Sequence, residues 1–437
     1  PMTLPELQQL ALARNPKIRQ ARADVEAARG QAVQAGLYPN PSVGYQADQI
    51  GAVGASGQQG AYLEQLIKTA GKLKLARLVA LMDLENARVA LRRAELDLIN
   101  QVRAAYFSVL VARETLLVQR ALVRFIDEAY RLQIAQVRAG QAAAYEPLQV
   151  YAQAVQSVDQ LDRARRRYVA AWRQLSTLIG DPALPPTELA GRADAVVPDY
   201  PYEQALARVL ASHTDVLTAQ NSIRRAQHAL RLAQVTPIPD ISTQFYFQRD
   251  NTTDPAFGQV GIRAGFAVPI FDRNQGGILE AQAHLARALD DVARVRNDLT
   301  IQLAAAYERY ANARAQLGRY RDHIIPTQVR VYRALRQRYQ QEPEKVGFVD
   351  VLVGQRNLAD MLTLYLSALS AQWEAVVEMA GLLQTDELYQ LTSPETPSVV
   401  EQLTMPGSCL PQSELQERAP AVPESANNPR PGEEIQP

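Results

Sequence analysis

The sequence predicts a mainly helical protein built from two tandem repeats, each carrying long coiled-coil helices and one β-hairpin whose strands suit a membrane β-barrel. Three observations predict it. Prolines vanish from two long tracts, with none between Pro41 and Pro147 and only Pro326 between Pro269 and Pro343. Proline removes a backbone donor and crowds the preceding turn, so its absence over such lengths invites long helices. Within both tracts apolar residues recur at alternating threes and fours, as in a coiled-coil seam. Ahead of each tract, short runs alternate apolar and polar with period two, as strands do.

Residues 4–37 open the chain as an amphipathic stretch in which Asn15 before Pro16 reads as a helix N-cap followed by the first helical residue. Pro39-x-Pro41 introduces a hairpin at about residues 41–68, with Val43, Tyr45 and Ala47 on one face and then Ala61, Leu63 and Ile67 after the glycine-rich residues 51–60. The first rod, residues 72–138, carries the seam Leu84, Leu91, Leu98, Val102, Ala105, Val109 and Leu116. At ~1.5 Å per residue a continuous helix of that length would reach ~100 Å. Residues 145–179 return along part of it. The punctuation then repeats: Pro237-x-Pro239 follows 198 residues after Pro39-x-Pro41, and His213-Thr214 stands where Asn15-Pro16 stood. Asp350 and Leu352 match Glu146 and Leu148, 204 residues on.

These matches assign residues 1–180 to a first repeat, 181–201 to an irregular connector with five prolines, and 202–386 to a second repeat with its hairpin at about 239–268. The second hairpin alternates more clearly, through Ile241, Thr243, Phe245 and Phe247 and then Val260, Ile262, Ala264 and Phe266. The second rod repeats the seam from Leu285 to Leu317, and Pro326 should kink it. Residues 387–437 form a proline-rich tail, expected to be disordered: nine of the 26 prolines crowd into its last 47 residues without hydrophobic periodicity.

Strands of about ten residues match the ~9–11 that a tilted strand needs to cross a bilayer. Alternation alone fits equally well a pair of ordinary hairpins resting on a helical body. Four strands cannot close a barrel, since small closed barrels begin at about eight, and lipid tolerates no open strand edge. A membrane role therefore requires several chains, and three copies would supply about twelve strands in a symmetric ring. On this reading Tyr45, Leu63, Phe245, Phe247, Ile262 and Phe266 face the membrane.

Composition excludes other classes. With 46 Lys+Arg against 46 Asp+Glu, bulk charge does not drive nucleic-acid binding. A lone Cys409 and the scattered His213, His228, His284 and His323 supply no ligand set, so neither metal nor cofactor is expected. Gly71-Lys72 is followed by Leu73, which defeats a phosphate-loop reading, and no catalytic constellation appears. The longest charge-free apolar run, residues 361–373, has 13 residues, short of the ~18–20 of a spanning helix. The arginines at 163 and 165–167 read as a charged helix face, with lipid headgroup or partner contact as the lesser option.

Four segments carry a resemblance to a known family: Asn15-Pro16-x-Ile18-x-x-Ala21 opening a helix, Tyr38-Pro-x-Pro41 leading into a strand, Val268-Pro-Ile-Phe271 leaving the last strand, and Phe348-Val-Asp-Val-Leu352 beginning a late helix. In this order, over roughly residues 3–386, they resemble the outer-membrane efflux proteins, the TolC-like exit ducts of tripartite pumps and type I secretion systems. The resemblance implies a passive duct and no enzyme: a homotrimer whose twelve-stranded outer-membrane β-barrel continues into a periplasmic α-barrel in a Gram-negative-type envelope. It implies a periplasmic adaptor protein, an inner-membrane pump and outer-membrane lipid as partners. The tips at residues 138–146 and 338–350 would then meet the adaptor through Arg138, Gly140 and Gln141 and through Glu344, Lys345, Val346 and Gly347. Glu146 and Asp350 would line the aperture. Val353 departs from the pattern, standing where some relatives carry a further acid. Both acids also suit the first turn of a helix, where they complement its dipole. The competing function is a soluble or peripheral coiled-coil scaffold.

Overall fold

The first half opens with α1 (Leu4–Arg14) and α2 (Pro16–Gln34), split where the sequence places an N-cap. The Asn15 carboxamide oxygen accepts the Lys17 N–H at 3.0 Å, and its amide donates to Leu178 O at 3.0 Å in α4 (Glu146–Ile179). In the second half His213 divides α5 (Tyr202–Ser212) from α6 (Thr214–Val235) in the same way, its Nδ1 accepting the Asp215 N–H at 3.2 Å. The computed structural model describes residues 1–51, 54, 56–140, 143, 145–342 and 345–389.

α3 (Lys72–Arg138) is one unbroken helix of 67 residues. Gly71 and Gly140 bracket it, both in the left-handed region where side chains are unfavourable. The second rod is interrupted near Pro326: α7 (Gln275–Arg319) passes through a π-helical turn, Tyr320–Ile324, into α8 (Ile325–Gln341). Proline in the first turn of α8 offers no N–H to the preceding ladder, and the widened turn accommodates its ring. α9 (Phe348–Leu383) runs back along this rod. The seam is buried from Leu299 to Leu317, yet Leu289 is 53% exposed.

The core lies where both rods meet the connector. Phe107 stacks on Trp373 with ring centroids 3.5 Å apart, and Trp373 Nε1 donates to Ala193 O at 2.6 Å. Trp172 Nε1 donates to Leu184 O at 2.9 Å, so both tryptophans pin the irregular chain of residues 181–201. Order continues past residue 386, where the sequence placed the start of the tail: Glu387–Tyr389 forms a 3-10 turn with Leu388 fully buried. The prolines that signal the tail begin only at Pro394, and residues 390–437, with the disorder expected of them, lie outside the described residues.

β1 (Ser42–Asp48), β2 (Gln58–Ile67), β3 (Ile241–Asp250) and β4 (Phe257–Phe266) form one antiparallel sheet in chain order. The two hairpins are thus joined, by a β2–β3 ladder running from Gln58↔Asp250 to Ile67↔Ile241. β1 has seven residues, fewer than the ten expected, because Gln49 turns the chain at φ +56°. Among the described residues no helix is long and apolar enough to cross a membrane.

Candidate functional site

Alternation and register together sort the sheet into two chemically distinct faces. Residues directly opposite in an antiparallel sheet share a face. The rows Val43–Leu63–Phe245–Ile262 and Tyr45–Ala61–Phe247–Val260 therefore lie on one side, with Ile67–Ile241–Phe266 below them. All six strand residues singled out from the sequence fall on this side. Its large side chains are uncovered, from 37% exposed at Ile241 to 80% at Val260. The other side carries the row Gln46–Gly60–Gln248–Gln259 and, next to it, Asp48–Gln58–Asp250–Phe257, with Glu64, Gln244 and Arg263. Gln58 Nε2 donates to Asp250 Oδ2 at 2.8 Å, and Gln248 Nε2 donates to Gln58 Oε1 at 2.9 Å, which ties the hairpins together across the polar face. Among the described residues no helix packs across either face, and the outer edges of β1 and β4 are unpaired.

A charge cluster fastens the sheet to the helical body. Asp240 accepts Lys68 Nζ and Lys72 Nζ, each at 2.8 Å, and the Thr69 N–H at 3.2 Å. Burial disfavours the Asp240 charge, but these three donors outweigh it and hold the carboxyl well below the usual carboxylate range. Sequence reasoning missed this group; the signal was an acid directly after Pro237-x-Pro239 and two lysines flanking Gly71.

At the opposite end of the rods both turns lie side by side, since Gln136 near the end of α3 hydrogen-bonds Tyr339 near the end of α8. The two aperture candidates are engaged within their own turns. Glu146 accepts the Ala143 N–H at 3.1 Å and the amide of Gln133, which is fully buried. Asp350 accepts the Gly347 N–H at 2.9 Å, closing the first turn of α9. Both carboxylates therefore act as helix-terminus acceptors, the structural alternative that their positions allowed. Asp350 is nonetheless exposed, and Glu146 half-buried. Arg138, Gly140, Lys345 and Gly347 are exposed at the turns, and Val346 packs against the core. Gln141 and Glu344 lie outside the described residues.

Beside these turns a groove of about 360 Å³ opens between α3, α8 and α9, lined by Phe125, Leu132, Tyr339 and Phe348 with Glu128 and Arg336. Burial raises the Glu128 carboxyl, which Arg336 partly counters. His213 is buried, whereas His284 is exposed and lies 3.5 Å from Glu280. Among the described residues no group of three His, Cys, Asp or Glu side chains is placed to hold a metal ion.

The comparisons agree with this arrangement. The family model described as "Outer membrane efflux protein" matches residues 7–181. The chain is 23% identical over 383 residues to the cobalt-zinc-cadmium resistance protein CzcC of Cupriavidus metallidurans, covering 88% of this chain and 90% of that protein. Its fold is similar to that of a membrane protein from Pseudomonas aeruginosa, with TM-score 0.73, 20% identity, and 87% and 92% of the two chains covered. It is similar too to the outer membrane protein VceC of Vibrio cholerae, with TM-score 0.70, 16% identity, and 87% and 95% covered.

Proposed function

We propose, for a chain whose residues 7–181 match the outer membrane efflux protein family, that it is the passive exit duct of an efflux or type I secretion machine of the outer membrane. The observation that carries this reading is a sheet with one uncovered apolar face, one polar face and two open edges. Lipid accepts an apolar face but not an unpaired edge, whose N–H and C=O groups would find no water. Three copies would join β1 of one to β4 of the next, close twelve strands, and turn the polar faces inward around an aqueous lumen. The rods would continue the duct into the periplasm. A soluble scaffold would have to bury the apolar face, and among the described residues no helix packs across it.

Energy for transport comes, on this reading, from an inner-membrane pump, and a periplasmic adaptor engages the turns. Adaptor contact favours an open state in which α8 and α9 relax outward. Three copies of exposed Asp350 would concentrate negative charge at the aperture and favour cations there. Similarity to a cobalt-zinc-cadmium resistance protein supports divalent metal cations as cargo. The acids of the polar face, Asp48, Glu64 and Asp250 against Arg263, suit their passage. Two measurements test the reading. Protein reconstituted in planar bilayers should conduct ions, and its absence from the parent bacterium should raise sensitivity to cobalt, zinc or cadmium. A reconstituted protein that forms no pore would overturn the duct, and unchanged metal sensitivity would remove the cargo assignment.

A further inference from the structure

One row of the polar face differs from its neighbours. It runs Gly44–Tyr62–Tyr246–Gly261 across all four strands, two phenols flanked by two glycines. Partners across a strand pair lie about 5 Å apart, so a tyrosine lying flat along the wall ends over the residue opposite. A Cβ built on Gly44 would come within 2.5 Å of the Tyr62 Cζ and Oη. One built on Gly261 would meet the same atoms of Tyr246 more closely still. Tyr62 therefore lies over β1 and Tyr246 over β4, leaning away from each other. Both rings are half-buried against backbone although among the described residues no helix covers them. Neither glycine has a positive φ, so no turn explains them. What they provide is a wall without side chains, onto which an aromatic ring can fold, an arrangement that also shields glycine backbone in a strand.

We infer that Tyr62 and Tyr246 pave the inner wall of the barrel, and that Gly44 and Gly261 set its bore at that level by letting the rings lie flat. The inference rests on the proposed inward orientation of the polar face. With any larger residue in place of the glycines, the rings must lift toward the axis, and three copies would raise six rings at one height. The two glycines are thus size-determining positions for what leaves the duct, and the phenols its lining.

Polymer partitioning tests this, with poly(ethylene glycol) of graded size added on the sheet side of protein in planar bilayers. That geometry reports the radius of the barrel segment separately from the far tip. Gly44→Val with Gly261→Val should shift the largest admitted polymer to a smaller size, and adding Tyr62→Ala with Tyr246→Ala should restore it. An unchanged cutoff in the assembled glycine variant overturns the inference. If that variant does not assemble, Tyr62→Ala with Tyr246→Ala alone should admit larger polymers, and an unchanged cutoff there overturns it equally. A control separates this from the orientation beneath it: Gln244→Cys in a Cys409→Ser background, treated with a bulky water-soluble thiol reagent. Current block by the reagent with an unmoved cutoff removes only the paving; absence of block removes the lumenal reading of the polar face as well.

Discussion

Asn15 fastens two helices with one side chain, because its oxygen caps α2 and its amide holds the last turn of α4. Asn15→Ala leaves both groups unpaired at a site only 7% exposed, and should lower thermal stability by about 1–2 kcal/mol. Asp240 carries a comparable role at the base of the sheet, and Asp240→Asn should cost about 1 kcal/mol, below the usual range for charge-assisted hydrogen bonds because Lys68 is a third exposed. Its pH dependence follows from the sign of the shift. A carboxyl held below its unfolded value contributes stability above about pH 4, and loses it only as pH falls toward the lower folded value. The stability gap between native protein and Asp240→Asn should therefore stay constant from pH 8 to about 5 and close below about 4 in thermal melts. A gap that closes near neutrality would contradict the clamp. Asp350 has two roles to separate. As a cap its loss should cost about 1 kcal/mol; as an aperture charge, Asp350→Ala should also weaken cation preference in reversal-potential measurements. A stability loss alone would leave Asp350 a cap.

Elements differed in how plainly the sequence announced them. The bounds of α3 were legible because a proline-free seam ran between two glycines, and the start of α9 because Phe348-Val-Asp-Val-Leu352 opens a helix with an acid in its first turn. The break in the second rod was legible from Pro326, but not its form, since a widened turn ahead of proline depends on how α8 packs. The β2–β3 ladder was not legible. Its partners lie more than 170 residues apart, and alternation fixes which side chains share a face, not which strand lies alongside. Glu146 was legible as a first-turn acid, but not its hydrogen bond to Gln133 of the preceding helix, 13 residues away across the turn. The sheet makes the sharpest prediction at this scale. Phe247→Arg on the apolar face should cost about 2–4 kcal/mol in assembly from lipid or detergent, whereas Gln244→Arg on the polar face should assemble as the native protein does. Equal behaviour of the two variants, read as the yield of folded membrane-inserted protein, would contradict the assignment of the faces.

At the scale of the molecule, the rods and the sheet place opposite demands on solvent. The rods are long, paired and charged outside, with Arg120, Arg124 and Arg166 exposed, and suit water. The sheet exposes Phe245, Phe247, Ile262 and Phe266 without cover, and suits hydrocarbon. On the proposed function, additional copies of the chain would satisfy its apolar face and its two open edges together. Native mass spectrometry of the protein released from membranes in mild detergent tests this most directly. A particle of three copies that disperses only with detergent is the expected result. A single copy, stable in water without detergent, would contradict it.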